Sequence, residues 1–146
     1  MCLIVDVNVA HRILLAENDA DFLEVRRRLL AASGRYVRLV YGGKLRDEYL
    51  QNGSIKRAVA ALDRAGRTRV VPDDKISAEV AAIRRLNLCV SDDEHIIGLA
   101  RASGVRVLCS GDQDLHADFG NIQLLSPRGR IYQNPSHVRL LRETCG

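Results

Sequence analysis

Two aspartates follow apolar runs that have the composition of buried strands. Asp6 comes directly after the run 2–5, and Asp112 comes three residues after the run 105–109. If both runs are central parallel strands, their carboxyl ends meet at one edge of the sheet, and open α/β sheets form their sites outside that edge. We therefore expect the two carboxylates to lie close together.

Two further acids belong to helical segments that can reach the same edge. Glu48 lies in the helix after the second strand, and Asp93 begins the helix that leads into the run 105–109. Clustered carboxylates repel one another unless a cation neutralises them. Oxygen ligands suit Mg²⁺ or Mn²⁺ rather than zinc, and such ions activate water in phosphodiester hydrolysis. Together the four acids predict a metal-dependent phosphodiesterase site.

Each acid also has a purely structural explanation. Asp6 is a residue type that caps a following helix, and Glu48 lies four residues after Lys44, a spacing that forms exposed ion pairs. Asp93 lies within an S-x-x-E capping box, and Asp112 lies within a sequence typical of a turn. No single acid is decisive, and it is their joint placement that favours a site.

The elements that must position these acids alternate along the chain. The pattern predicts strands at 2–5, 36–40, 69–71, 105–109 and 122–125. It predicts helices at 8–17, 21–32, 44–51, 55–65, 75–86 and 93–103, with a turn and a terminal helix at 136–143 in the tail. Strands separated by helices need crossover connections, which build a mostly parallel sheet of four to five strands flanked by helices.

Length and composition indicate one domain, residues 1–146, with its core in about 2–125 and a tail at 127–146. Apolar residues make up 47% and charged residues 27% of the chain, which excludes disordered and fibrous proteins. The apolar runs are far shorter than the roughly 20 residues that span a bilayer. The first residues have no basic stretch ahead of an apolar one, so we expect a cytoplasmic protein without membrane contact.

The charge is compatible with a nucleic-acid partner. The formal net charge is +4, and because only three of the 22 basic residues are lysines, the other 19 are arginines. Arginine binds phosphate oxygens through a planar fork of donors. A GC-rich genome produces the same bias towards arginine, so this explanation remains open.

Histidine and cysteine add no second metal site. None of the four histidines has metal-ligand spacing to another, and the four cysteines include no C-x-x-C pair. His95 lies two residues from Asp93 and is near enough to touch a phosphate. We nevertheless expect surface or helix-capping roles for the histidines.

Two motifs occur in the first half of the chain. Asp6 closes the first strand and is followed by Val7 and Asn8, and Glu48 stands in the third helical region. Two more motifs complete the series in the second half. Asp93 precedes an apolar helix, and Ser110 and Asp112 follow a strand.

In these four motifs the chain resembles the PIN-domain nucleases, a family of small α/β metal-dependent ribonucleases. The order and spacing of the motifs carry this resemblance over about residues 2–125. The sequence departs from the family at Val7, where many members have threonine. Neighbouring acids that are alternatives to the assignments below are Asp47, Asp92 and Asp114.

The resemblance implies a three-layer PIN-like α/β fold and an endoribonuclease that hydrolyses single-stranded RNA with one or two Mg²⁺ or Mn²⁺ ions. The implied metal ligands and catalytic residues are Asp6, Glu48, Asp93 and Asp112. The implied residues that support these ligands or bind the substrate are Asn8, Ser110 and Asp114. Basic residues near the motifs that we expect to attract RNA are Arg12, Lys44 and Arg46.

Compact members of this family include VapC-like toxins of toxin–antitoxin pairs. The resemblance therefore implies a small antitoxin protein as partner, and a homodimer. One alternative is a PIN-like module that binds RNA or protein without turnover, although the presence of all four acids argues against it. A second is a phosphoryl-transfer domain of receiver or phosphatase type, which fits poorly because no lysine follows a late strand and position 8 is asparagine.

Overall fold

A computed structural model describes residues 2–31 and 36–142, which build a parallel sheet of five strands. The strands are β1 (Cys2–Val5), β2 (Arg38–Tyr41), β3 (Thr68–Val70), β4 (Val107–Cys109) and β5 (Arg130–Ile131). Their order in the sheet is β3-β2-β1-β4-β5, and every neighbouring pair is parallel. The predicted α/β class with a parallel sheet of four to five strands is confirmed.

Helices occupy most of the connections between strands. They are α1 (Val7–Ala10), a π-helical turn (His11–Leu15), α2 (Leu23–Leu30), α3 (Gly43–Leu50), α4 (Gly53–Arg64), α5 (Asp73–Leu86), α6 (Glu94–Ser103), α7 (Gln113–Phe119) and a 3₁₀ helix (Pro135–Arg142). The helix predicted at 8–17 is α1 followed by the π-helical turn. Residue 32 of the helix predicted at 21–32 and residue 143 of the terminal helix lie outside the described residues.

The strand order fixes where a site can form. The chain moves outwards from β1 to β2 and β3, then returns across the sheet to β4 and moves outwards on the other side to β5. Because crossovers between parallel strands are right-handed, α1 to α4 cover one face and α5 to α7 the other, which makes three layers. The direction of winding reverses between β1 and β4, and a crevice opens at such a switch point.

The strand predicted at 122–125 is wrong. Those residues form turns, although Leu124 and Leu125 are buried in the core. The outermost strand is instead β5, which pairs with β4 and lies in the tail that was expected to hold only a turn and a helix. Apolar side chains can fill a core from a turn, so their burial alone does not distinguish the two structures.

Close packing on the second face involves a glycine in α6. A Cβ at Gly98 would lie 2.6 Å from Val80 Cγ2 and 3.3 Å from the carbonyl oxygen of Ile76, both in α5. The absence of a side chain at this position lets α5 and α6 approach closely. No helix among the described residues is long and apolar enough to cross a bilayer.

Candidate metal centre at the switch point

Asp6 and Ser110 stand side by side where β1 and β4 end. Val5 is in register with Cys109, and the Asp6 N–H donates to the Cys109 carbonyl at 2.9 Å. The Ser110 hydroxyl donates to Asp6 Oδ2 at 2.8 Å. Asp6 occupies the capping position of α1, but its carboxylate forms no capping hydrogen bond. The buried Asp6 side chain is therefore directed to the sheet edge, and the capping explanation does not hold.

Asn8 and Ser110 hold the loop after β4 against the start of α1. Asn8 Oδ1 accepts the Gly111 N–H at 3.2 Å, and its Nδ2 lies 3.5 Å from Ser110 Oγ. Ser110 Oγ also accepts the Asp112 N–H at 3.1 Å. These contacts link Asn8 to Ser110, which is itself hydrogen-bonded to Asp6.

Asp112 has two partners. Its Oδ1 caps α7 by accepting the N–H groups of Asp114 and Leu115 at 2.9 and 3.3 Å. Residues 113 and 114 therefore belong to a helix, and the ordinary turn that the sequence allowed here is not formed. Its carboxylate also lies close enough to Asp93 to raise the pKa of the Asp93 carboxyl group. Asp114 itself is exposed. Its backbone N–H donates to Asp112, and that is the contact which joins it to these residues.

Among these acids, Asp93 has the pKa that is shifted furthest from its usual value. Burial raises the pKa of its carboxyl group to about 6, helped by the charge of Asp6, by the hydrogen bond and charge of Asp112, and by the charge of Glu48. Asp93 is therefore near enough to each of the other three predicted acids for their charges to act on it. The alternatives Asp47 and Asp92 are exposed.

Glu48 reaches the edge from α3 and contacts a histidine. Its Oε1 lies 2.7 Å from His95 Nε2, while the ion pairs among the described residues do not include one with Lys44. Burial raises the pKa of Glu48, and the charge of Lys44 partly opposes this. The exposed ion pair with Lys44 is therefore not formed.

His95 is buried, against the expectation of a surface or capping role. It is 8% exposed, and burial, followed by the charge of Lys44, lowers its pKa to about 4. Its Nε2 is close to Glu48 Oε1, but the pair lacks hydrogen-bond geometry, so neither atom has a hydrogen-bond partner among the described residues. Its Nδ1 lies 4.0 Å from Asp93 Oδ1. His95 thus stands, uncharged at neutral pH, between two of the acids.

Asp118 in α7 positions the loop that carries Asp93. Its buried carboxylate accepts the Val90 N–H at 2.9 Å and the N–H and hydroxyl of Ser91 at 3.0 and 2.6 Å. Ser91 Oγ in turn accepts the Asp93 N–H at 3.3 Å. Ser91 is therefore bound to Asp118, and the capping box expected around Asp93 is not formed.

Tyr49 anchors α3 to the end of β1. Its fully buried hydroxyl donates to the carbonyl of Val5, the residue before Asp6. This bond fixes the helix turn that carries Glu48. Sequence reasoning missed Tyr49 because its partner is distant along the chain.

The chemical type of the side chains near the switch point suits a hard divalent cation such as Mg²⁺ or Mn²⁺. The side chains offer carboxylate oxygens, and Glu48 Oε1 is buried without a hydrogen bond. Burial and the charge of Glu48 raise the pKa of Asp6, against the hydrogen bond from Ser110. Among residues 2–31 and 36–142, however, no three histidine, cysteine or acidic side chains are already grouped as ligands of one ion. The carboxylates are turned towards protein partners instead.

The basic residues expected to attract RNA differ in availability. Arg12 is held by Asp19 and Asp21 at 2.7 and 3.0 Å, so its charge is neutralised. Lys44 is exposed and close enough to His95 and Glu48 to influence the pKa of both. Arg46 is exposed.

Comparison with known proteins gives a likeness of fold. The sequence matches no protein-family model and no curated protein. Among solved structures, it is similar to a chain in the crystal structure of VapBC2 from Rickettsia felis bound to a DNA fragment from their promoter. The identity is 14%, the alignment covers 91% of this chain and 100% of that chain, and the TM-score is 0.55. At this identity the two chains share a fold, which agrees with the PIN-like architecture expected from the sequence.

Proposed function

We propose that the chain is a metal-dependent endoribonuclease that hydrolyses phosphodiester bonds of single-stranded RNA. Asp6, Glu48, Asp93 and Asp112 would hold one or two Mg²⁺ or Mn²⁺ ions. The observation that carries the proposal is the position of these acids at the switch point, where Asp6 and Ser110 are hydrogen-bonded at the ends of neighbouring strands. The charges of Asp6, Asp112 and Glu48 all act on Asp93 there. Such a concentration of carboxylates is stabilised by a divalent cation.

The side chains around the acids have separable roles. A bound Mg²⁺ or Mn²⁺ supplies an activated water and neutralises charge on the phosphate. Ser110 orients the Asp6 carboxylate through its hydroxyl, and Tyr49 holds α3 so that Glu48 faces the same edge. Lys44, exposed beside them, attracts the phosphate backbone.

The proposal also includes a biological role as the toxin of a toxin–antitoxin pair. The similar chain is part of VapBC2, which was crystallised on a DNA fragment from their promoter. Together with the PIN-like motifs, this likeness supports a VapC-like toxin with a small antitoxin as partner. A homodimer is part of this proposal.

A second candidate is a PIN-like binding module without turnover. The observation that favours it is the absence, among the described residues, of three side chains grouped as metal ligands. In this case the acids would serve as helix caps and loop supports, as Asp112 Oδ1 does for α7.

Cleavage of a labelled RNA pool with and without Mn²⁺ tests the choice. We expect wild-type protein to cleave only with the metal, and Asp6→Asn to lose activity by about 100-fold or more, as removal of charge stabilisation does elsewhere. Asp74→Asn, an exposed change in the first turn of α5, is the matched control. No cleavage by any of the three proteins would favour the binding module, and equal cleavage by Asp6→Asn would place the activity elsewhere.

A further inference from the structure

A surface cleft of about 280 Å³ lies next to the acids. It is bounded by the first turn of α3, by α5 and by His95 of α6. Its lining includes the apolar side chains of buried Ile76, half-buried Val80 and exposed Ala81, and the exposed charged side chains of Lys44 and Arg84 stand at its rim. The acids themselves do not line it, so the cleft is a separate feature beside the candidate metal centre.

His95 connects the cleft to the acids. It lines the cleft, and its Nε2 lies 2.7 Å from Glu48 Oε1. The side chain is 92% buried, since it is 8% exposed, and Nε2 has no hydrogen-bond partner among the described residues. His95 therefore lines the cleft while its Nε2 faces the Glu48 carboxylate, so the cleft and the acids share this side chain.

The cations on the rim are available. In the described part of the chain, neither Lys44 nor Arg84 forms an ion pair. The opposing charge is that of Asp73, whose Oδ1 accepts the Gly43 N–H at 3.2 Å. The cleft therefore has a net positive rim above a lining that includes apolar side chains.

This combination selects a ligand with an apolar face and an anionic group. A nucleotide has both, because its base is flat and its phosphate is charged. No phenylalanine, tyrosine or tryptophan ring is among the residues that line the cleft in the described part of the chain, but arginine guanidinium planes also stack on the unpaired bases of single-stranded RNA. The hydroxyl of Ser77 adds a hydrogen-bonding group on the same wall.

We propose that this cleft binds one nucleotide of single-stranded RNA next to the phosphodiester bond presented to the acids. Arg84 and Lys44 contact the phosphate or the base, and His95 occupies the boundary with the metal centre. This inference rests on the proposed ribonuclease function. It implies that the RNA strand runs from the acids along α5.

Fluorescence anisotropy with a short, mixed-sequence, labelled single-stranded RNA in EDTA measures binding without cleavage. We expect Arg84→Ala to weaken binding about 5- to 10-fold, since losing a nucleotide contact costs about this much. The salt slope should decrease by roughly 0.7, the value for one phosphate contact on a single strand. Arg85→Ala is the matched control, because Arg85 is also exposed in the last turn of α5 but does not line the cleft. Its affinity should stay within about twofold of wild type.

Photocrosslinking locates the RNA independently of affinity. RNA that carries 4-thiouridine should crosslink to the peptide that contains Ser77 and Ala81 in wild type, and this product should decrease in Arg84→Glu but persist in Arg85→Glu. Wild-type protein that does not bind RNA would overturn the cleft assignment. So would equal affinities of Arg84→Ala and Arg85→Ala with crosslinks elsewhere.

The two proposals fail separately. If wild type cleaves RNA with Mn²⁺ and Asp6→Asn does not, while Arg84→Ala binds like Arg85→Ala, the nuclease stands and the cleft is wrong. If binding depends on Arg84 but no cleavage occurs with any metal, the cleft stands and the activity is wrong.

Discussion

The carboxyl group of Asp93 resists ionisation because it is partly buried and because it lies among other acids. Its folded-state pKa of about 6 is above the value of about 3.9 in an unfolded chain. The folded state therefore binds the proton more tightly, and the protein loses stability as the pH rises from about 4 through 6. The Asp93 carboxyl group of the proposed cation site thus acts against folding when no cation is bound.

Replacing this carboxyl group should stabilise the metal-free protein. In EDTA at pH 8, we expect Asp93→Asn to raise the free energy of unfolding by about 1 kcal/mol, discounted for the partial exposure of the site. The difference should vanish below about pH 4, where Asp93 is protonated in both states. Urea denaturation at several pH values measures it. A lower stability of Asp93→Asn at pH 8 would contradict the stated repulsion, and Asp74→Asn should show no such pH dependence.

The residue scale also shows what sequence could and could not predict. Asp6 and Asp112 were predictable because a strand end dictates their location. Tyr49, Asp118 and the burial of His95 were not, because their roles depend on long-range contacts. Tyr49 bonds to Val5, 44 residues away, and Asp118 bonds to Ser91, 27 residues away. Of these three residues, only His95 could be connected with the site from the sequence, because it lies two residues after Asp93.

At the scale of elements, Asp118 joins α7 to the loop before α6. Asp118→Asn replaces one acceptor oxygen by an NH₂ group that faces backbone or hydroxyl donors. We expect a loss of about 2–3 kcal/mol in unfolding free energy, because buried donors lose their partner. Ser91→Ala should cost less, about 1 kcal/mol, since a single hydroxyl is removed. Chemical denaturation ranks the two variants, and the reverse ranking would contradict the role of Asp118 as the main connection.

The packing of α5 against α6 makes a second prediction. Gly98→Ala puts a methyl group 2.6 Å from Val80 Cγ2, and we expect overpacking to cost about 1–3 kcal/mol. Val80→Ala in the same protein should restore part of that loss by removing the opposing methyl groups. Gly53→Ala is the control, because its nearest neighbour is Arg57 Nη1 at 3.5 Å. Thermal unfolding of the four proteins is the measurement, and strictly additive effects of Gly98→Ala and Val80→Ala would exclude the contact.

Element boundaries illustrate the same limit of sequence reasoning. The helix predicted at 44–51 is found at Gly43–Leu50, because apolar spacing and a following Asn-Gly pair mark it locally. β5 has only two residues, Arg130–Ile131. This strand forms by pairing with the edge of β4 that β1 does not occupy, so no local sequence pattern predicts it.

At the scale of the whole molecule, binding of the proposed ion would stabilise the folded state. A cation that binds the folded chain stabilises it, by about 2.7 kcal/mol at 100 times the dissociation constant. We expect Mn²⁺ to raise the Tm of wild type, and to raise that of Asp6→Asn much less. Differential scanning calorimetry across a Mn²⁺ titration measures this. Equal shifts for both proteins would indicate binding outside the acids.

The switch point between β1 and β4 has a consequence for biosynthesis. Asp6 is bonded to Ser110, 104 residues later, and chains emerge from the ribosome with their N-terminal part first. A nascent chain that has not yet released β4 contains Asp6, Glu48 and Asp93 but lacks the strand that brings them to Asp112. If the chain is the proposed nuclease, its acids can assemble only after β4 has been synthesised, so products interrupted before β4 would lack the complete set of acids and would not cleave RNA.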